Sequence, residues 1–173
     1  MKKWLVPAIL GTLVTAVIAH ILTLILIPVV LMEITMAKTP CNVLSFGAKQ
    51  TADQRYTVRP NPDIIGTVAS YDVGSQPIRF TATVPDDTYW SVSLFAQNTD
   101  CYFVINDRQV KSNPLEIILV KQGIQCPYAG NAQVVISPTD RGILLVRHIL
   151  PGTERLTEVL QIQKQAFITL GCK

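Results

Sequence analysis

The sequence predicts a mainly β protein, an antiparallel jelly-roll-like sandwich with one N-terminal transmembrane helix and one C-terminal helix. Three observations support this prediction. Residues 4–32 are apolar and almost uncharged, short alternating segments follow between residues 65 and 150, and residues 153–167 have helical spacing. The expected parts are a cytoplasmic N-terminus at 1–3, a membrane helix at 4–32, a connector at 33–64 and a periplasmic β domain at 65–173.

The apolar run at residues 4–32 is long enough to cross a membrane as a helix. Crossing the hydrocarbon takes about 20 apolar residues, whereas the apolar core of a cleaved signal is normally about 7–15 residues. Length therefore favours an uncleaved anchor, and cleavage near Thr35-Met36-Ala37 is the alternative. Because Lys2 and Lys3 precede the run, we expect a single pass through the inner membrane, with the N-terminus inside and the rest in the periplasm.

His20 is the only ionisable side chain in the apolar run, and Thr23 lies one turn further along. Ionisable groups at membrane depth are rare and tend to face protein or water. His20 and Thr23 are therefore a candidate intramembrane contact, on a face toward another membrane helix or a cofactor. The alternative is a neutral imidazole hydrogen-bonded to a neighbouring threonine or backbone carbonyl.

After the connector, the hydrophobic pattern changes to a period of two. Runs rich in Val, Ile, Thr and aromatic residues alternate with clusters of Gly, Pro, Asn and Asp. The connections are too short for crossover helices, so we expect antiparallel pairing and no parallel βαβ units. The predicted strands are 65–73, 77–84, 89–96, 101–107, 115–121, 132–137 and 142–150.

The segments that flank these strands are also predictable. Residues 32–38 can prolong the membrane helix until Pro40 stops it. Residues 50–63 are polar and contain two prolines, which predicts an extended loop. Near the C-terminus, Thr153 is the expected N-cap of a helix that packs on a sheet face or edge. Its helically spaced residues are Leu156, Val159, Leu160, Gln163 and Phe167.

The charge of the chain gives no indication of nucleic-acid binding. All 12 acidic residues follow residue 32, together with all of the 15 Lys and Arg residues except Lys2 and Lys3. The predicted periplasmic part is therefore close to neutral, without the excess of basic residues that a nucleic-acid partner requires.

The four cysteines, Cys41, Cys101, Cys126 and Cys172, all lie in the predicted periplasmic part. An even count in an oxidising compartment predicts disulfides, and three connectivities are possible. We favour Cys101 with Cys126, which are close in sequence, and Cys41 with Cys172; free buried thiols are the alternative. A metal site is not expected, because no two cysteines are adjacent in sequence and His148, the histidine of the domain, lies in an apolar strand.

A small polar site is the strongest candidate for chemistry in the domain. Asp107 and Arg108 follow a predicted strand, and Asp100 and Tyr71 complete the set. Loops gather at the ends of a sandwich, where such residues can form a pocket; the alternative is turn chemistry, with Asp and Asn capping turns. The motifs of nucleophile elbows, phosphate loops, dinucleotide sites and zinc hydrolases are absent. No catalytic residue and no cofactor are therefore predicted.

The order of several short motifs resembles a bacterial family. Residues 61–110 contain NPD, YD, TYWSVSLFA and NDRQ, and residues 136–151 contain SPTDRG. From about residue 62 to 165 the sequence is similar to the domain of unknown function 1254, which is often paired with domain 1214. The resemblance implies a jelly-roll-like sandwich and no particular activity. The cysteines are not part of the shared pattern.

The tether and the missing catalytic motifs together predict a non-enzymatic interaction or accessory subunit of an envelope assembly. Its expected partners are membrane lipid around residues 4–32 and a protein in the membrane or periplasm. The alternative is a small-ligand or lipid-binding envelope module. A third, less favoured hypothesis is an enzyme of unrecognised type that uses Asp100, Asp107 and Arg108.

Overall fold

A computed structural model describes residues 2–51, 53, 60–126 and 129–172 of the chain. Within these residues the fold is mainly β, with a long N-terminal apolar helix and a short C-terminal helix, which confirms the predicted mainly β class and its two helices. The elements are α1 (Leu5–Lys38), β1 (Ser45–Phe46), β2 (Ile64–Asp72), β3 (Ile78–Ala82), β4 (Trp90–Ala96), β5 (Cys101–Asn106), β6 (Leu115–Lys121), β7 (Gln133–Ser137), β8 (Arg141–Ile149), α2 (Leu156–Lys164) and β9 (Phe167–Leu170).

Helix α1 contains the whole apolar run except Trp4 and continues to Lys38, as the sequence around Pro40 predicts. It is long and apolar enough to cross a membrane, a test that a signal sequence near an N-terminus also passes. Its side chains are exposed from Leu5 to Ile27, because none of the described strands packs on this part of the helix.

The strands form two sheets that pack face to face. Sheet A has the order β1-β2-β8-β4-β5, and sheet B has the order β7-β6-β3-β9. Alternating side chains from both sheets fill the space between them. The core includes Tyr71, Val92, Leu94, Leu144 and Val146 from sheet A, and Phe80, Ile117, Leu119 and Val135 from sheet B.

Sheet B is mixed, so the prediction of antiparallel pairing throughout is wrong at one position. Strands β6 and β7 pair in parallel, with Ile117 opposite Gln133. Residues 122–132 connect them, and residues 127 and 128 of this connection lie outside the described part. A connection of about a dozen residues can return the chain to the same end of the sheet without a helix.

The C-terminal helix is shorter than the sequence predicts. A 3-10 turn at Thr153–Arg155 precedes α2, and no side chain caps either element, so Thr153 is not the N-cap. Phe167 lies in β9, where it pairs with Thr81 on the open edge of β3. The hydrogen-bonding groups on the free edge of β3 thus pair with Phe167, which the apolar spacing had assigned to the helix.

The predicted connector is partly built into the sandwich. Its first residues belong to α1, and β1 pairs with Thr67 and Val68 of β2. The predicted extended loop at residues 50–63 is described only in part, since residues 52 and 54–59 lie outside the described residues.

Candidate functional site

The C-terminal turns of α1 pack against the outer face of sheet A. Met32 and Met36 are one turn apart and are each only 7% exposed. They contact the apolar side chains that β2, β4 and β8 present on this face, which are Val68, Phe95 and Ile143. We call this contact the junction, and it joins the apolar helix to the sandwich through buried side chains.

Polar contacts surround the two methionines of the junction. Arg141 donates from Nη2 to Oε1 of Glu33 over 2.9 Å, and the side-chain amide of Gln97 donates to the same carboxylate. Ser70 Oγ lies 3.0 Å from the carbonyl oxygens of both Thr39 and Pro40, directly after the helix ends. The helix is therefore attached to β2, β8 and the end of β4 by hydrogen bonds as well as by apolar contacts.

A buried hydroxyl network lies beneath the junction. The hydroxyl of Tyr71 is 3.1 Å from the carbonyl oxygen of Phe95 and 3.0 Å from the hydroxyls of both Tyr102 and Ser137. Ser137 in turn donates to the carbonyl oxygen of Thr139 over 2.6 Å. Burial raises the pKa of Tyr71 and of Tyr102. Both phenols are therefore neutral, and the network links β2 to β5 and to the turn between β7 and β8.

The sandwich is open between the edge strands β5 and β7, where a cleft of about 400 Å³ lies. Phe103, Ile105 and Leu115 form its apolar part, and Lys111 and Gln133 stand at its polar rim. We call this flank of the sandwich the β5–β7 side.

His148 and Trp90 form a second buried polar pair, on neighbouring strands. Their ring centroids are 6.4 Å apart at an interplanar angle of 75°. His148 Nδ1 and Trp90 Nε1 have no hydrogen-bond partner among the described residues. Burial lowers the pKa of His148 to about 4, so the imidazole is neutral and packs as part of the core.

The structure does not bring the predicted polar site together. Asp100 precedes β5, whereas Asp107 and Arg108 follow it, and a strand of this length separates its ends by about 20 Å. Asp100 accepts a hydrogen bond from Asn98 over 2.6 Å. Arg108 donates its backbone N–H to Asn106 Oδ1 over 3.1 Å. These contacts are turn chemistry, and Tyr71 is buried rather than at a surface.

The favoured disulfide pairing is wrong. Cys126 is bonded to Cys172, and Cys41 and Cys101 are free and exposed. Cys126 follows β6 and Cys172 follows β9, and both strands end beside the start of β3. Cys41 and Cys101 lie at opposite flanks of sheet A, the first beside β2 and the second at the start of β5.

His20 and Thr23 are exposed on the surface of α1. Thr23 Oγ1 donates to the carbonyl oxygen of Ala19 over 2.8 Å, so this hydroxyl is engaged within its own helix. The intramembrane contact at His20 remains a prediction.

Sequence reasoning missed the junction, although its signal is present. Met32 and Met36 have the spacing of one helical face, and Glu33 is the first acidic residue of the chain. Their partners are far away in sequence, so the contact could be found only in three dimensions.

A comparison with one solved structure agrees with this fold. The VPA0106 protein from Vibrio parahaemolyticus has a similar structure, with a TM-score of 0.63 and 15% sequence identity over 78% of this chain. An uncharacterized protein from Burkholderia cenocepacia gives a TM-score of 0.46 at 19% identity over 63% of this chain. This chain covers only 31% of the length of each.

No curated protein matches the sequence. The profile of a family described as "Protein of unknown function (DUF1254)" matches residues 41–170. This stretch begins directly after α1 and contains both sheets and α2. Since the match spans most of the chain, the protein belongs to the DUF1254 family.

Proposed function

We propose that this protein is a single-pass inner-membrane protein whose periplasmic sandwich serves as a non-enzymatic interaction or accessory subunit of an envelope assembly. The observation that supports this proposal is the junction, in which Met32 and Met36 of the apolar helix are buried on the sandwich. A helix held in this way fixes the orientation of the domain on the membrane, which suits a subunit that must present one surface to a partner.

The junction also favours an anchor over a cleaved signal. Cleavage after Ala37 would remove both methionines and Glu33, and it would expose Val68, Phe95 and Ile143 of the mature domain. Fully burying a methionine side chain contributes about 1.5–3 kcal/mol. A signal peptide that leaves the protein has no reason to form such a contact. The disulfide between Cys126 and Cys172 is consistent with the oxidising periplasm.

The distribution of polar groups supports a binding role over catalysis. Asp100 and Asp107 lie at opposite ends of β5, while Tyr71 and His148 are buried and neutral. A general acid or base has to reach a substrate, and neither buried group opens into the cleft described above.

The test is to express the full chain with a C-terminal tag in a bacterium and to measure its mass, its extraction and its partners. We expect an intact N-terminus, resistance to alkaline extraction, and digestion of the domain by protease added to spheroplasts. In-cell cross-linking followed by purification in mild detergent should give a discrete complex larger than the monomer. A soluble mature protein that begins near Lys38, or a monomer under all of these conditions, would contradict the proposal.

The cleft on the β5–β7 side favours a small-ligand or lipid-binding module as the second candidate. Its volume of about 400 Å³ is at the lower end of the range of roughly 300–1,000 Å³ that is typical of ligand pockets. Gln133→Trp would fill the rim, and Gln161→Trp on the exposed face of α2 is the matched control. If the cleft binds a ligand, native mass spectrometry of the purified chain should show a bound small molecule that only Gln133→Trp removes.

A further inference from the structure

The contacts at the junction define the direction in which α1 crosses sheet A. Thr39 and Pro40 bond to Ser70 of β2, whereas Glu33 bonds to Arg141 at the start of β8 and to Gln97 just after β4. The helix rises about 9 Å over these six residues, and β2 and β4 are about 10 Å apart, with β8 between them. The helix axis therefore runs across the strands, from β2 toward β5.

The same direction shows where the helix leaves the sandwich. One turn before Glu33, Pro28 and Val29 are still half-buried, and from Ile27 back to Lys3 every side chain is exposed. Strand β5 is the next strand after β4 in sheet A and forms its edge. The helix consequently passes the edge of sheet A at β5, close to residue 28.

The length of helix that remains fixes the distance of this edge from the membrane. Residues 4–27 are apolar except for His20 and the three threonines, and as a helix they extend about 36 Å. The hydrocarbon of a bilayer is about 30 Å thick. If these residues span the membrane, little helix is left over, so β5 lies at the level of the lipid headgroups.

The β5–β7 side has the surface that such a position requires. Val104 on β5 is 51% exposed on the outer face of sheet A. Val134 and Ile136 on β7 are 45% and 59% exposed on the outer face of sheet B. These positions face outward because side chains alternate along a strand and the neighbouring Ile105 and Val135 point into the core.

Both β5 and β7 are sheet edges, which soluble proteins normally protect from other molecules. Glu116 also lines the cleft, and its carboxylate is paired with Arg79 over 2.6 Å. Lys111 at the rim adds a positive charge of the kind that lies well among phosphate groups.

We propose that the β5–β7 side rests on the phospholipid surface of the membrane that α1 spans, with the edges of β5 and β7 at the level of the headgroups and with Val104, Val134 and Ile136 in contact with lipid on the two outer faces beside these edges. This inference rests on the proposed function, because it requires α1 to be a membrane anchor. It adds a second membrane contact and specifies which flank of the sandwich is left for protein partners, namely the flank formed by β1, β9 and α2.

The experiment measures how close single positions of the full chain lie to lipid. In a Cys41→Ser and Cys101→Ser background, with the Cys126–Cys172 disulfide intact, Val104→Cys and Ile136→Cys are labelled with a fluorophore. The matched control is Phe167→Cys, because Phe167 is also apolar and 50% exposed but lies on β9, at the opposite edge of sheet B. Each protein is reconstituted into phosphatidylethanolamine and phosphatidylglycerol vesicles, with or without headgroup-nitroxide lipid.

We expect nitroxide lipid to quench most of the fluorescence at positions 104 and 136 and little at position 167. Equal quenching at the three positions would overturn the inference. Protection of positions 104 and 136 from a water-soluble quencher without quenching by nitroxide lipid would also overturn it, and would indicate a protein contact instead. Melting curves, together with a mass measurement that shows the Cys126–Cys172 disulfide to be intact, identify the variants that are folded. A chain that alkaline extraction releases from the vesicles would contradict the anchor itself, so the two failures are distinguishable.

Discussion

Glu33 of α1 and Arg141 of β8 form an ion pair across 108 positions of the chain, with 2.9 Å between Oε1 and Nη2. Their side chains are 40% and 45% exposed. An exposed pair of this kind contributes only about 0–1 kcal/mol. The free energy that holds the helix on the sandwich must therefore come mainly from the buried methionines, and the ion pair defines the orientation.

This difference gives the first prediction. Met36→Asp places an unpaired charge in the buried junction and should weaken it by about 2–4 kcal/mol, whereas Glu33→Gln should weaken it by less than about 1 kcal/mol. Hydrogen exchange of residues 32–40 in nanodiscs measures the effect. Thr35→Asp on the exposed side of the same turn is the control and should retain wild-type protection. Equal loss of protection in Met36→Asp and Thr35→Asp would show that the methionine contact is not what holds the helix.

Gly142 is the subject of the second prediction. A Cβ at this position would lie 2.1 Å from the carbonyl oxygen of Phe95 and 2.4 Å from the hydroxyl of Tyr71. Gly142→Ala should therefore cost about 3 kcal/mol or more, since backbone and a buried phenol must move. At Gly66 in the neighbouring strand β2 the nearest atom would be 4.0 Å away, so Gly66→Ala should change stability much less. Urea unfolding of the full chain in detergent gives both values, and similar values would refute the close approach at Gly142.

Gln163 joins α2 to two parts of sheet A. Its side-chain Nε2 lies 3.2 and 3.0 Å from the carbonyl oxygens of Gly47 and Gly66 and 2.8 Å from Thr67 Oγ1, so its two N–H groups are shared among three acceptors. Gln163→Leu removes these donors from buried acceptors and should cost about 1–3 kcal/mol. Gln161→Leu, on the exposed face of the same helix, should stay within about 0.5 kcal/mol of wild type. Thermal unfolding compares the stabilities of the two variants. If Gln163→Leu is as stable as the wild type, water satisfies these acceptors in its place.

The fourth prediction concerns pH. Burial lowers the pKa of His148 from 6.5 to about 4 in the folded protein, so between these values the unfolded chain binds the proton and the folded chain does not. Stability is thus retained above pH 6.5 and lost as the pH falls toward 4, by about 2 kcal/mol between pH 7 and pH 5. Urea unfolding at both pH values should show this loss in the wild type, and His148→Phe should remove it. The same pH dependence in His148→Phe would assign the loss to other groups.

The fifth prediction concerns the disulfide. The bond between Cys126 and Cys172 closes a loop with a sequence separation of 46, which corresponds to about 4 kcal/mol in the chain-entropy description. Cys126→Ser should lower stability by up to this amount, whereas Cys101→Ser, at an exposed free thiol, should have little effect. Alkylation of the unreduced protein should modify Cys41 and Cys101 only. Modification of Cys172 without reduction would contradict the pairing.

Much of the architecture could be predicted from local pattern. The period of two located β2 to β8, and the long apolar run located α1. The end of α1 near Pro40 also followed from sequence, because proline restricts the residue before it. Phe167 shows the limit of such reasoning. It continues the helical spacing of α2, but its backbone pairs with Thr81 on the open edge of β3 and so belongs to β9.

The candidate sites were less predictable, because they depend on residues far apart in the chain. Asp100, Asp107 and Arg108 of the expected polar site are close in sequence, yet the length of β5 separates Asp100 from Asp107. Conversely, Cys126 and Cys172 look unrelated until β6 and β9 are seen to flank β3.

By itself the sequence determined the apolar helix α1 and the strands β2 to β8, since hydrophobic periodicity and length act locally along the chain. Only the tertiary structure decided the cysteine pairing, the parallel pairing of β6 with β7 and the seating of α1 on sheet A. These depend on which distant strands become neighbours, and that choice is made by the packing of the whole sandwich rather than by any one segment.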